Sequence, residues 1–223
     1  MTGSNDPLPA LLGVRAGFDE RERKKMITFA ASFLLILVLY TVSISQTSPS
    51  KEFAGIKISN FGKMDERFYR GAQPKEGKGQ FEALKALGIQ TIIDLTEEPE
   101  AYEKVEAEAA GLKYINIPII DKSYPTPESV EVFLKTVDDP ETGVFYVHCA
   151  GGRHRTGDIG AIYRFEKYGW DFAKVYQEMK NYDFYTSWGH GKQKDFVEDY
   201  AAKMGTQRLA IIPVAADPAR IAP

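Results

Sequence analysis

The sequence predicts an α/β domain with a mainly parallel central sheet flanked by helices, carried behind a single N-terminal transmembrane helix. Three observations predict this. Short β-branched runs alternate with amphipathic segments between about Asn60 and Gly205. Those runs are too short to be helices. Ahead of them, residues 26–45 form an uncharged stretch with the core FAASFLLILVLYTV. The expected organisation is a basic segment 1–25, an anchor 26–45, a tether 46–59, a domain 60–205 and a tail 206–223 without periodicity from about Arg208.

At helical rise the stretch 26–45 matches the ~30 Å hydrocarbon thickness of a bilayer. A soluble helix would show a polar face, and this one has none. Arg21, Arg23, Lys24 and Lys25 precede it, whereas residues 46–50 after it carry no charge. Positive residues are retained on the cytoplasmic side, so the N-terminus is expected there and the domain on the outer, periplasmic side of an inner or plasma membrane. The rival is a cleaved signal peptide, with Ser43-Ile44-Ser45 as a weak small-residue processing site and a secreted product. Both readings export the domain.

Within the domain, strands are expected at Gln90–Leu95, Tyr114–Ile120 and Gly143–Val147. Phe81, Leu84 and Leu87 share one helical face, with Gly88 at the stop position. Tyr102, Val105, Ala109 and Leu112 form a second face. Val130, Phe133, Leu134 and Val137 follow Thr126-Pro127, a cap and first-turn pair; Phe172, Val175, Tyr176 and Met179 follow Asp171 as cap. Strands interleaved with helices give a sheet covered on both faces, and ligands of such sheets sit at the carboxyl ends of the strands.

A chain of 223 residues with 43% apolar residues is large enough for a full core. The net charge of −3 gives no global attraction to nucleic acid, so an anionic substrate needs a local cluster of positive groups. The single cysteine, Cys149, excludes an internal disulfide and a cysteine-based zinc site, and the three histidines lack metal-ligand spacing. No metal or organic cofactor is expected.

The informative segment is Val147-His148-Cys149-Ala150-Gly151-Gly152-Arg153-His154-Arg155-Thr156-Gly157. It begins where an apolar strand ends, and DIGAIYRFEKYG after it reads as a helix stopping at Gly169. Strand, glycine-containing loop and helix N-terminus make an anion cradle, with backbone N–H groups turned inward and the helix dipole favouring negative charge. The same groups favour a thiolate at the mouth of the cradle. Arg155 adds a planar fork of donors that matches phosphate oxygens. An activated nucleophile and a clamp for phosphoryl transfer stand together.

The run HCAGGRHRTG resembles the H-C-x5-R-(S/T)-G signature of the protein tyrosine and dual-specificity phosphatase superfamily. The resemblance covers roughly residues 60–185. It includes Phe68-Tyr-Arg-Gly-Ala-Gln-Pro74, similar to a segment that opens many small members. The GRHRTG end is similar to the loops of the plant and fungal atypical dual-specificity phosphatases. The resemblance implies Cys149 as nucleophile and Arg155 as phosphate ligand. It implies Gly151, Gly152 and Gly157 as shapers of the loop, Thr156 as hydroxyl donor to the sulfur, and His148 as a support from behind rather than a base. Ala150, Arg153 and His154 complete the substrate-binding loop. Arg70 reaches the site or ties down the first strand, the latter being favoured.

Cleaving an unactivated phosphate ester also needs an acid for the leaving oxygen. Relatives supply an aspartate from a loop upstream of the cysteine, and Asp121 follows the strand YINIPII at the carboxyl edge where that loop belongs. Asp138 and Asp139 look like a helix end, Asp158 would cap the helix after the loop, and Asp183 stays open. The expected activity is hydrolysis of phosphate monoesters by way of a phosphocysteine, of the tyrosine or dual-specificity protein phosphatase type. The rival substrates are inositol phosphates, pyrophosphates or lipid phosphates. Phosphoinositide phosphatases often carry two loop lysines; here Ala150 and Arg153 hold those places, so half the pattern is present. A rival of another class is a membrane-anchored phosphate-binding module without catalysis.

Overall fold

The computed structural model describes Phe53 and residues 55–211, with side chains as far as Gly205. The expected span 26–45 lies outside the described residues, and among these no helix is long and apolar enough to cross a membrane.

The strands are β1 (Gly62–Lys63), β2 (Phe68–Ala72), β3 (Thr91–Asp94), β4 (Lys113–Asn116) and β5 (Phe145–Cys149). They form one sheet in the order β1-β2-β5-β3-β4. β2, β5, β3 and β4 run parallel, and β1 adds an antiparallel edge. The helices are α1 (Gln80–Ala86), α2 (Ala101–Ala109), α3 (Pro127–Asp138), α4 (Arg155–Tyr163), α5 (Phe172–Asn181) and α6 (Gly191–Ile211).

The predicted caps are in place. Thr126 accepts from the Ser129 amide at 3.1 Å with Pro127 opening α3, and Asp171 accepts from the Lys174 amide at 2.8 Å. Such caps each contribute about 1 kcal/mol. α4 widens into a π turn over Arg164–Tyr168 and stops at Gly169, whose φ of 63° suits a residue without Cβ.

Side chains alternate across β5, so the two faces of the sheet have different neighbours. Phe145, Val147 and Cys149 join Phe68, Ile93, Phe133, Ile159 and Ile162 in one core cluster. Tyr146 joins Ile92, Phe81, Leu84 and Ala107 in the other. The alternation sends Cys149 to the face carrying α4 and its neighbour His148 to the opposite face. Full burial of each large apolar chain stabilises by about 1.5–3 kcal/mol.

Five expectations are corrected. On α2 the inward positions are Glu103 and Ala107, while Val105 is 67% exposed. The face chosen by apolarity is rotated because a buried carboxyl takes an inward place. The strand expected over Tyr114–Ile120 ends at Asn116; the amides of Ile117 and Ile119 still donate to the Asp94 and Leu95 oxygens, and the chain passes Pro118, which has no N–H to donate, to an exposed Ile120. α6 carries no start signal and was not expected, and it runs through Arg208 to Ile211, part of the supposed aperiodic tail. Asp158 is fully buried rather than capping. Ahead of the sheet, Phe53 sets its ring edge-on to Phe61 at 5.3 Å and Ile58 is buried, so residues read as tether pack on the domain.

Candidate active site

Cys149 ends the central strand β5, and Arg155 begins α4; the loop between them turns back on itself at Gly152. Four consecutive carbonyls of this loop are held from outside. The Gln73 amide donates to the Ala150 oxygen at 3.4 Å. Asn60 Nδ2 donates to the Gly151 oxygen at 2.8 Å. Arg70 Nη2 donates to the oxygens of Gly152 at 2.8 Å and Arg153 at 3.5 Å. A trans peptide places the next N–H opposite its carbonyl, so tying the oxygens outward turns the amides of Gly151, Gly152, Arg153 and His154 toward the cavity. The anion cradle expected from glycine content is produced by these four tethers.

Arg70 therefore has a structural role, but on the loop rather than on its own strand. It is 1% exposed and its guanidinium stacks 4.2 Å from the Tyr182 ring. Burial draws its pKa down, although the group stays a cation at any physiological pH. Gly152, at φ 66°, lies so close to Gly71 and Ala72 that a Cβ would stand 2.5 Å from the Ala72 nitrogen. Only glycine fits there.

Asp121, Cys149, Ala150, Gly151, Arg153, His154 and Arg155 line one cavity of about 180 Å³, together with Tyr185 and His190. Cys149 is 4% exposed at its floor. Arg155 donates through Nη1 to the Ile119 oxygen at 3.3 Å, and its Nε is 3.9 Å from Asp121 Oδ1. One guanidinium thus spans the loop after β4 and the loop after β5. Asp121 is half-exposed at the rim, and Lys122 beyond it takes a φ of 60°. Asp138 and Asp139, at the end of α3, do not line the cavity. Asp183 lies 3.7 Å from Arg153 and does not line the cavity.

Gly157 packs behind the loop, where an added Cβ would meet Met179 at 3.3 Å. The Thr156 hydroxyl is buried and makes no hydrogen bond to the sulfur or to any other described group. No other partner competes for it.

His148 is fully buried with Nδ1 at 3.7 Å from Asp94 and Nε2 at 3.7 Å from Glu103. Burial outweighs the Asp94 charge and holds its pKa down to about 4, so it is neutral at pH 7. Asp94 accepts from the Thr96 amide and hydroxyl, both at 2.8 Å, and from the Tyr114 hydroxyl at 2.6 Å. Two charges this close repel by about 4 kcal/mol near a protein surface, and more in the interior. Burial, then the Asp94 charge, raises the Glu103 pKa far above the usual carboxylate range, so Glu103 is a neutral acid. The three side chains could be read as a metal site. The carboxyls, however, address different nitrogens of the ring.

Sequence reasoning missed Tyr185 and His190. They lie in the segment between α5 and α6, which has no periodicity and no fixed spacing from Cys149. The available signal was compositional, a cluster of aromatic and imidazole rings in Tyr182–His190. His190 stacks on His154 at 3.5 Å and 5°, with Tyr185 edge-on to both. His154 donates from Nε2 to the Tyr185 oxygen at 3.1 Å, and burial together with His190 holds its pKa down to about 4.

Comparison with known proteins agrees with this geometry. Inositol diphosphatase DSP3 of Arabidopsis thaliana is 31% identical over 127 residues, covering 55% of this chain. The chain spans 61% of that relative's length. The crystal structure of P. aeruginosa TpbA in complex with pTyr aligns with a TM-score of 0.56 at 21% identity, over 68% of this chain and 89% of that one. The core catalytic domain of the S. cerevisiae PP-IP phosphatase SIW14 aligns with a TM-score of 0.54 at 20% identity, over 69% and 95%. At those identities the likeness to the two structures is one of fold. Residues 42–199 match the family described as "DSP-PTPase phosphatase fused to NAD+ Kinase", and the chain belongs to that family, within the cysteine-based dual-specificity and tyrosine phosphatase superfamily.

Proposed function

We propose that this protein hydrolyses phosphate monoesters through a phosphocysteine, with phosphotyrosine-type aryl esters as its preferred substrates. The observation that carries the reading is the convergence of Cys149, Arg155 and Asp121 on one cavity beneath inward-turned amides. In the first step the Cys149 sulfur attacks phosphorus, the P–S bond forms and the P–O ester bond breaks. Arg155 and the loop amides take the charge of the equatorial oxygens, and Asp121 gives its proton to the departing oxygen. In the second step water attacks phosphorus, its proton passes to Asp121, and the thiolate leaves. A non-catalytic phosphate-binding module would not need a carboxyl at the rim.

Two features favour a flat aromatic ester. The cysteine lies deep, and the wall of the cavity is built from the rings of Tyr185, His154 and His190. Arg153, a rim cation that could grip a second phosphate, has Asp183 at 3.7 Å competing for it. A second reading, an inositol diphosphate, is favoured by the Arabidopsis relative's name. Phosphotyrosyl peptides, phosphoinositides and inositol pyrophosphates assayed side by side decide between them. A kcat/KM higher for inositol pyrophosphates than for the peptides would overturn the aryl reading. Loss of all turnover in Cys149→Ser tests the nucleophile, and residual activity in that variant would remove it.

The uncharged stretch 26–45 behind its basic flank supports a transmembrane anchor that holds the domain on the outer side of the membrane. Protease protection in intact cells or spheroplasts tests it; a domain cleaved only after lysis would refute that orientation.

A further inference from the structure

We infer that His190 positions the water that hydrolyses the phosphocysteine, accepting one of its protons in a hydrogen bond while Asp121 takes the other. The inference rests on the two-step reading above and assigns a residue to its second step.

The tautomer of His190 follows from what surrounds it. Gln193 Oε1 lies 2.7 Å from His190 Nδ1. The amide nitrogen of Gln193 has no hydrogen bond, but Gln193 interacts with the buried carboxyl of Asp158. An amide whose nitrogen faces a carboxyl presents its oxygen to the imidazole, so Nδ1 carries a hydrogen, and in the neutral ring Nε2 then keeps the lone pair. Among the described residues no hydrogen bond engages Nε2, and that atom is not one of the buried polar atoms lacking partners. The residue is 6% exposed and lines the cavity. Stacking on His154 and the edge of Tyr185 fix the plane of the ring.

A water in line with the P–S bond directs a lone pair at phosphorus, so both of its hydrogens need acceptors. Arg153, Arg155 and the loop amides are donors. Asp121, ionised after the first step, accepts one hydrogen, and the lone pair of His190 Nε2 is fixed in place for the other. In the step the water oxygen bonds to phosphorus, the P–S bond breaks with its electron pair going to sulfur, and one proton goes to Asp121. The second hydrogen stays on the product phosphate, and His190 neither gains nor loses a proton. His190 is a positioning residue that acts after the ester has been cleaved.

Rapid-mixing kinetics with p-nitrophenyl phosphate separate the two steps, because nitrophenol is released in the first. The wild type, His190→Ala and His190→Gln are compared, with thermal unfolding as the check on folding. His190→Ala is expected to keep the burst rate and slow the following steady state about 10- to 100-fold. The burst amplitude should approach one per site, with labelled phosphocysteine trapped by acid. His190→Gln, which restores an acceptor, should recover part of the steady-state rate. Burst and steady state falling together, or neither changing, in a folded variant would overturn the role of His190. A wild type that turns over without any phosphocysteine would instead overturn the two-step reading itself.

Discussion

Arg70 Nη2 donates to the Gly152 carbonyl oxygen across 2.8 Å, from strand β2 to the middle of the phosphate loop. The same nitrogen reaches the Arg153 oxygen, so one buried cation orients two peptide planes. Lysine has no planar fork to do this. Arg70→Lys is expected to lower kcat/KM about tenfold or more and to weaken inhibition by vanadate, because the amides lose their aim. Unchanged vanadate affinity would show that the loop holds its shape without the tether.

Asp121 stands half-exposed at the rim of the cavity. Asp121→Asn keeps the shape and removes the proton. Alkyl phosphates, which leave poorly, should lose about 100-fold or more in kcat, and aryl phosphates with acidic phenols much less. A Brønsted plot over leaving groups checks this; equal losses across the series would remove Asp121 from the acid role.

Gly152→Ala tests the close approach of the loop to β2. The φ of 66° and the contact with Gly71 and Ala72 act together, since neither backbone can yield without opening the sheet. Urea unfolding should show a loss of about 3 kcal/mol or more, together with loss of activity. A stable, active variant would mean that the loop relaxes freely.

Glu103 gives a pH signature. Its carboxyl is held neutral in the native state by burial and by Asp94, with a pKa raised from 4.5 to about 9. Between those values the unfolded chain has released a proton that the native state still binds. Stability must therefore fall as pH rises through that window and level off above it. Glu103→Gln, which mimics the neutral acid, removes this slope. Thermal unfolding from pH 5 to pH 9 should show the variant gaining on the wild type with each step upward. Parallel curves would mean that Glu103 is ionised in the folded protein.

The sequence determined a large part of this protein by local rules. The strand that ends in Cys149, the glycine-containing loop, the helix opening at Arg155, and the caps at Thr126 and Asp171 depend on neighbours in the chain. Residue type and spacing suffice to read them. The aspartate after YINIPII was legible for a related reason, since the loop that follows a parallel strand starts from the carboxyl edge of the sheet.

The tertiary structure alone decided the rest. That Glu103 rather than Val105 faces inward depends on His148 and Asp94 waiting across the gap, and no periodicity in α2 records them. Arg70, Asn60 and Gln73 converge on the loop from distant positions. His190 reaches the cavity only because α6 packs against α4. Hydrogen bonds and burial between remote segments carry no fixed spacing, so their partners exist only once the chain has closed on itself.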